Sequence, residues 1–382
     1  MRLIEHDGKS LLAQHGLHSA QHRLLEASDT VDFTSCSVPS VLKAQTLDGK
    51  RGKAGLIERV DGSNVASKAE QLRSRLAQLG LEPLLMLEPA VDIEQELYAA
   101  VRLDGSGRYP CILFSASGGM DVETHVDRVA TFPIDPIRGV YPHDLLPLLR
   151  ASQLSPAQWG NVARFLARMY DVFVAEDALL IEINPLAITQ DGLVVALDAK
   201  IELDDSAAFR HPQRAKLRSS AIRESTTTDL EARAAADGID LVELSGSVAL
   251  LTSGAGLGMA VVDQLTDAGM HPANFVDAPG GAGLERKVEY VFELARHDRV
   301  KAVAVFILQT AQPLARATGA LIRVLERHPL SKPLVVGLVA AAAGERGMTA
   351  EQAREQLAGY GAVVVFDLEE LVQELRSRVP SR

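Results

Sequence analysis

From Val248 onward the chain repeats one pattern, a short apolar run followed by a helical stretch. The runs are Val248–Leu251, Asn274–Val276, Ala302–Ile307, Leu334–Leu338 and Ala362–Phe366. Strands this apolar, alternating strictly with helices, call for a parallel sheet covered on both faces. Residues 237–382 therefore read as a flavodoxin-like or Rossmann-like α/β domain. Residues 1–236 read as a separate α+β domain. Its strands are expected at Val38–Gln45, Ala54–Val60, Leu84–Glu88, Glu96–Leu103 and Tyr109–Ser115. Its helices are expected at the N-terminus, over Ala66–Leu79 and over Pro156–Val174. Between the two, about Leu203 to Asp240 is polar and reads as an irregular linker.

Composition narrows the class. A chain of 382 residues fits two or three domains at roughly 100–200 residues each. Hydrophobic residues at 47% and charged ones at 23% exclude a disordered or fibrous chain. The net charge of −11 has the wrong sign for a phosphate-backbone or anionic-membrane binder, so neither nucleic acid nor membrane is expected as a partner. Cys36 and Cys111 are too few for a disulfide framework or a thiolate zinc site. No apolar run reaches about 18 residues, and MRLIEHDGKS has no apolar signal core. These features read as a soluble protein of a reducing compartment, the cytoplasm.

The stretch LLIEINPLAITQDGLVVALDAK carries the most chemistry. A three-residue loop at Gln190–Gly192, with glycine in the left-handed position, sets Asn184 opposite Asp198 and Glu182 opposite Lys200. Two-residue alternation puts these four on one face, while Ile181, Ile183, Leu197 and Ala199 feed a core. An amide oxygen facing a carboxylate on rigid strands suits Mg²⁺, which takes oxygen ligands and completes its shell with phosphates and water. The same pattern also describes a hairpin with one wet face and a Glu182–Lys200 ion pair.

Upstream, Lys43 lies in a β-like run that leads to Asp48-Gly49-Lys50-Arg51-Gly52-Lys53-Ala54-Gly55. Glycines admit close approach of a polyphosphate and the cations neutralise it. An exposed turn with solvated lysines has the same composition. Glu88 ends one strand and Glu96 begins the next, where a carboxylate can hold a ribose hydroxyl or an adenine amine. The segment Ser115–Glu123, reading SASGGMDVE, follows a strand as a glycine loop with two acids. The ten histidines show no metal-binding spacing, and His15, His18 and His22 read as one polar face. The turn SGAGLGMA lacks the glycine spacing and the distal acid of a dinucleotide fingerprint.

Taken in order, these pieces resemble β subunits of the succinyl-CoA synthetase (succinate–CoA ligase) family, ATP-grasp proteins. The resemblance runs through the opening helix, KAQ…RGKAG, LEPAVDIEQELY, SGGMDVE, IEINPLAI…LDAK, SGAGLGMA, ANFVDAPGGA and KAVAVFIL. It implies an ATP-grasp fold for residues 1–236 and ATP as a substrate with Mg²⁺. Lys43, Lys50, Arg51 and Gly52 fall on groups that hold the nucleotide phosphates, and Glu88 and Glu96 on its nucleoside and phosphate ends. Asn184 and Asp198 fall on the metal ligands. Glu182 falls on a carboxylate that orients a phosphorylated histidine of a CoA-binding α-type partner. Ser253 and Gly254 fall on the turn near the carboxylic acid substrate.

The C-terminal half departs from that pattern. After KAVAVFI the family has a Gly-Gly pair and a nearby arginine, where this chain reads Leu308-Gln309-Thr310-Ala311-Gln312-Pro313. Thr310 is expected to cap the following helix, with Pro313 in its first turn. Gly337–Gly344 is apolar where the family is polar, Ser253 replaces asparagine, Pro279 interrupts a triple glycine and Lys50 replaces a glycine. The reading is thus an ATP- and Mg-dependent acid–CoA ligase subunit acting on an acid other than succinate. Two alternatives are an ATP-grasp ligase whose acyl phosphate is captured by an amine, and a non-catalytic regulatory subunit.

Overall fold

The computed structural model describes residues 1–27, 29, 38–47, 51–119, 129–152, 154–278, 283–309, 313–340 and 347–379. Two compact units, Met1–Ser225 and Thr226–Arg382, are described separately.

The first unit opens with helix α1 (Glu5–Gln14) and the short strand β1 (Arg23–Leu25). Strands β2 (Ser40–Ala44) and β3 (Ile57–Val60), helix α2 (Val65–Gln78) and strand β4 (Leu85–Pro89) follow. These strands form an antiparallel sheet in the order β1-β4-β2-β3. One face packs Leu42, Ala44 and Leu85 against Ala69, Leu72 and Leu76 of α2. Two-residue alternation turns Lys43 and Glu88 to the other face.

A larger antiparallel sheet has the order β10-β8-β5-β6-β7 and is built from β5 (Ile93–Asp104), β6 (Tyr109–Ser115), β7 (Ala130–Pro133), β8 (Ala178–Thr189) and β10 (Lys200–Leu203). The strand β9 (Val194–Ala196) pairs with β8. Between β7 and β8 lie α3 (Leu146–Ala151) and α4 (Pro156–Ala175). Helix α4 starts cleanly because Ser155 and Gln158 form a capping box and Pro156 needs no amide partner. Its face of Val162, Leu166, Met169 and Phe173 fills the core against Leu97, Ala99, Val101, Ile181 and Ile183.

The hairpin register follows the sequence expectation. Leu186, Ala187 and Ile188 face Ala196, Val195 and Val194, and Glu182 faces Lys200. The loop is Gln190–Gly192, with Gly192 at φ +79° and its amide donating to Thr189. Leu197–Ala199 leave the ladder between β9 and β10. Ile181, Ile183 and Ala199 are buried, and Leu197 is half-buried.

The stretch read as an irregular linker is ordered. Helices α5 (Arg218–Thr226) and α6 (Asp229–Ala236) form within it. Few apolar residues are buried in them, Ile222 of α5 and Leu230 and Ala234 of α6, and polar contacts supply much of the rest. Asp7 accepts from the amide and hydroxyl of Ser219, Arg218 pairs with Glu26 and Glu82, and Thr228 and Glu231 make a capping box.

In the second unit, β11 (Leu241–Glu243) pairs antiparallel with β13 (Asn274–Val276). Strands β12 (Val248–Thr252), β14 (Ala302–Gln309), β15 (Leu334–Ala340) and β16 (Ala362–Val365) form a parallel sheet in that order. Parallel bridges Val248–Pro272 and Thr252–Asp277 set β13 beside β12. The resulting order, with β13 outside β12, is the flavodoxin-like one. Helices α8 (Leu284–Leu294), α9 (Leu314–Arg327) and α10 (Ala350–Ala358) cover one face. Helices α7 (Ala255–Asp267) and α11 (Leu368–Arg378) cover the other. Helix α9 begins at Leu314 with Pro313 as its extended capping residue, not within its first turn. Proline fixes φ and disfavours a helical conformation before it; Thr310 lies outside the described residues. No helix among the described residues is long and apolar enough to cross a membrane.

The loop conformation gives a direct test of the register. A Cβ at Gly192 would meet nothing within 4 Å, so only its backbone conformation opposes a side chain. Gly192→Ala should destabilise the protein by about 1 kcal/mol. Gly192→Asn should cost less, because asparagine tolerates the left-handed region. Denaturant titration of both variants measures the difference.

Candidate active site

Glu5 and Lys9 stand one turn apart on α1, so both point to the same side of the helix. That side is buried: Glu5 is 2% exposed and Lys9 0%. On the opposing sheet, Val41 pairs with Glu88 and Lys43 with Met86, making Lys43 and Glu88 diagonal neighbours. Lys9 Nζ lies 2.7 Å from Glu5 Oε1 and 2.5 Å from Glu88 Oε2. Lys43 Nζ lies 2.8 Å from Glu5 Oε1 and 2.6 Å from Glu88 Oε1, and donates to the Leu197 carbonyl at 2.6 Å. Arg51 sets Nη1 2.6 Å from Glu5 Oε2 and Nη2 2.8 Å from Asp198 Oδ1. Three carboxylates and three cations thus close one network.

Burial demands that closure, because an unpaired charge at such depth costs several kcal/mol. Burial alone would raise the Glu5 carboxyl, but Lys9, Lys43 and Arg51 together hold it well below the usual carboxylate range. Burial alone would lower Lys43, yet Glu5, Glu88 and Asp198 raise it above an ordinary lysine. Asp198 moves the other way: burial and the nearby Glu5 charge raise it, against Arg51 and Lys43.

A second set of groups meets on the larger sheet. Asn184 Oδ1 accepts from the Gly119 amide at 2.7 Å, and its Nδ2 donates to the Gly119 carbonyl at 3.1 Å. Gly118 donates to the Glu96 carbonyl at 2.9 Å. A Cβ on Gly118 would stand 2.3 Å from the Leu97 carbonyl oxygen, and Gly119 has φ +93°, so this glycine pair is required for the close approach. Glu182 pairs with Lys200 at 3.2 Å, the cross-strand ion pair that alternation allows. Tyr98 on β5 is pushed up to about 12 by burial and by the Glu182 charge.

The residues singled out in the sequence therefore separate into groups. Lys43, Arg51, Glu88 and Asp198 share the ionic network. Glu96 and Asn184 meet the Gly118–Gly119 turn. Gly52 is exposed in the turn after Arg51, and its carbonyl accepts from Gly55. Lys50, Cys36 and Pro279 lie outside the described residues, as do Met120–Glu123 of the glycine loop and Ala341–Gly344. Glu5 and Lys9 were missed. Their signal is a glutamate and a lysine at helical i,i+4 spacing within an otherwise apolar opening helix.

In the second unit, Ser253 follows β12 and its hydroxyl accepts from the Leu308 amide at 2.7 Å. Gly254, at φ +94°, precedes α7 and donates to Asp277 Oδ1 at 2.6 Å. Both groups thus tie β12 to its neighbours, β14 and the end of β13.

The oxygen donors fit magnesium in kind. Asn184 and Asp198 offer an amide and a carboxylate, and among the described residues no cluster of three or more His, Cys, Asp or Glu could hold an ion. Asn184 Oδ1 is engaged by the Gly119 amide, and Asp198 Oδ1 by Arg51 and the Ala199 amide.

The ATP-grasp domain family model matches residues 2–188. A curated succinate–CoA ligase [ADP-forming] subunit beta of Desulfurococcus amylolyticus is 32% identical, over 97% of each chain. The chain belongs to the succinate–CoA ligase β-subunit family. Within this family, the probable malate–CoA ligase subunit beta of Mesorhizobium japonicum is 33% identical, covering 96% of this chain and 94% of that one. Among solved structures, ATP citrate lyase from Methanothrix soehngenii aligns with a TM-score of 0.69 at 17% identity, over 99% and 98% of the two chains, a likeness of fold. The class of enzyme is that of an ADP-forming, ATP-grasp CoA ligase.

The ionic network makes a pH prediction. A carboxyl depressed on folding stabilises fully above its ordinary value, 4.5 for Glu5, and loses that contribution as pH falls toward the native value. Glu5→Gln should therefore destabilise the protein by about 3 kcal/mol or more at pH 7. The gap between variant and wild type should narrow below pH 4.5, read by thermal unfolding from pH 7 to 3.

Proposed function

We propose that this chain is the nucleotide-binding β-type subunit of an ATP- and Mg-dependent acid–CoA ligase. It works with a CoA-binding α-type partner that carries the active-site histidine. The observation that supports this most directly is Lys43 and Arg51 held side by side and joined through Arg51 to Asp198.

In this reading the γ-phosphoryl group leaves ATP for a nitrogen of the partner's histidine, releasing ADP. It then passes to the substrate carboxylate, and the CoA thiolate attacks the acyl phosphate and expels inorganic phosphate. Lys43, Arg51 and Lys50 bind and neutralise the phosphates, with the Gly52 turn admitting them closely. Glu88 fixes Lys43 from the sheet side, and Glu96 with the Gly118–Gly119 turn positions the nucleotide's other polar groups. Asn184 and Asp198 would hold Mg²⁺, which supplies charge neutralisation for the transferring group. Glu182, steadied by Lys200, would accept the second N–H of the partner's histidine and orient the ring. Fixed cations and carboxylates of this sort act by positioning and electrostatics.

The acid is assigned to the Ser253–Gly254 turn and is taken to differ from succinate. Supporting this are the lost Gly-Gly and arginine after Ile307 and the apolar run from Gly337. An exposed Leu308 beside Ser253 also supports it.

With the histidine-bearing partner, CoA, ATP and Mg²⁺, a panel of carboxylic acids should release ADP in an acid-dependent way, with succinate among the poorer substrates. No ADP release with any acid overturns the assignment. Hydroxamate formed with hydroxylamine and no partner would show direct acyl phosphate formation and overturn the histidine relay. Separately, Asp198→Asn should weaken Mg-ATP binding at least ~10-fold, about 1.4 kcal/mol, by calorimetric titration.

A further inference from the structure

The network around Lys43 contains a group whose position exceeds what charge balance alone needs. Glu5 is the one carboxylate in it that touches all three cations: Oε1 lies 2.7 Å from Lys9 Nζ and 2.8 Å from Lys43 Nζ, and Oε2 lies 2.6 Å from Arg51 Nη1. Glu88 reaches only the two lysines, and Asp198 only Arg51. Lys43 comes from β2, while Arg51 comes from the turn that follows it. Among the described residues, Glu5 is the one carboxylate paired with both Lys43 and Arg51.

We infer that Glu5 is a positioning residue for nucleotide binding, setting the spacing and direction of the Lys43 and Arg51 cations from the buried face of α1. The inference rests on the proposed phosphate role of those two cations. Its physical basis is that flexible lysine and arginine side chains lose rotamer freedom when they bind an anion. A carboxylate with one oxygen on each head removes much of that freedom beforehand, so the phosphates meet cations already in place. Lys9, paired with Glu5 and Glu88, balances the extra negative charge that this arrangement introduces.

A purely structural role and a positioning role differ in one measurable way. Replacing Glu5 by glutamine leaves an unbalanced positive charge and lowers stability in either case. The double variant Glu5→Gln/Lys9→Met removes one anion and one cation together, leaving Glu88 and Asp198 against Lys43 and Arg51. Its thermal midpoint should return to within a few degrees of wild type. Titration of the full chain with Mg-ATP should nevertheless show affinity weakened at least ~10-fold. Glu5→Asp, which keeps the charge but shortens the reach, should also bind Mg-ATP more weakly. Asp7→Asn is the control on the same helix, since Asp7 holds Ser219 and touches none of the cations. It should lose stability and keep wild-type affinity.

Wild-type affinity in both the double variant and Glu5→Asp would overturn the inference while leaving the proposed function standing. If Asp7→Asn loses affinity in proportion to its stability, Glu5 acts through the fold alone and the inference fails. Absence of Mg-ATP binding by the wild-type chain would overturn the inference and the proposed function together.

Discussion

Six charged side chains, five of them buried and Asp198 half-buried, close a neutral set, and this constraint organises the first unit. Glu5 and Lys9 arrive on a helix, Lys43 and Glu88 on neighbouring strands, Arg51 on a turn and Asp198 from the chain between β9 and β10. None of the five buried ones could be held at this depth with its partners removed. Helix, small sheet and hairpin are therefore linked through charge as well as through apolar packing. Lys43 adds a bond to the Leu197 carbonyl, which ties the same hairpin directly to β2. Such a cluster contributes modest net stability, since desolvation offsets most of the attraction. Its value lies in fixed geometry, which is what handling a polyphosphate requires.

Different amounts of this were legible beforehand. The hairpin's loop and register were legible, because loop length and glycine position fix them independently of tertiary context, but the departure of Leu197–Ala199 from the ladder was not. The alternating second unit was equally clear, since parallel strands announce themselves by being apolar on both faces. Helices α5 and α6 were not, because they are short, bury only Ile222, Leu230 and Ala234, and lean on polar contacts of Ser219, Arg218 and Thr228. Pro313 was read into the first turn of α9, and it is the residue that precedes the helix instead.

Within the site, Lys43, Arg51 and Asp198 were visible as chemistry but not as neighbours. Residues 147 positions apart, as Arg51 and Asp198 are, share no local signal. Asn184 was expected to face Asp198, and its amide is instead engaged on both sides by the Gly119 peptide. Backbone register says which residues oppose each other; it does not say which way an amide turns. Glu5 and Lys9 were overlooked for a related reason. A charged pair on a surface helix is so common that its burial shows only once the opposing sheet is in place.

The three-residue turn at Gln190–Gly192 carries a last implication for how this chain can vary. With a side-chain period of two, inserting or deleting a single residue there would rotate everything beyond it by half a pleat. Val194–Ala196 would then change register against Leu186–Ile188, and the chain that follows them and brings Asp198 to Arg51 would be displaced with them. The identities of Gln190 and Asp191 are open to substitution in a way that their number is not. Tolerance at this corner is thus a matter of counting, and length polymorphism would be far more damaging than a change of letter.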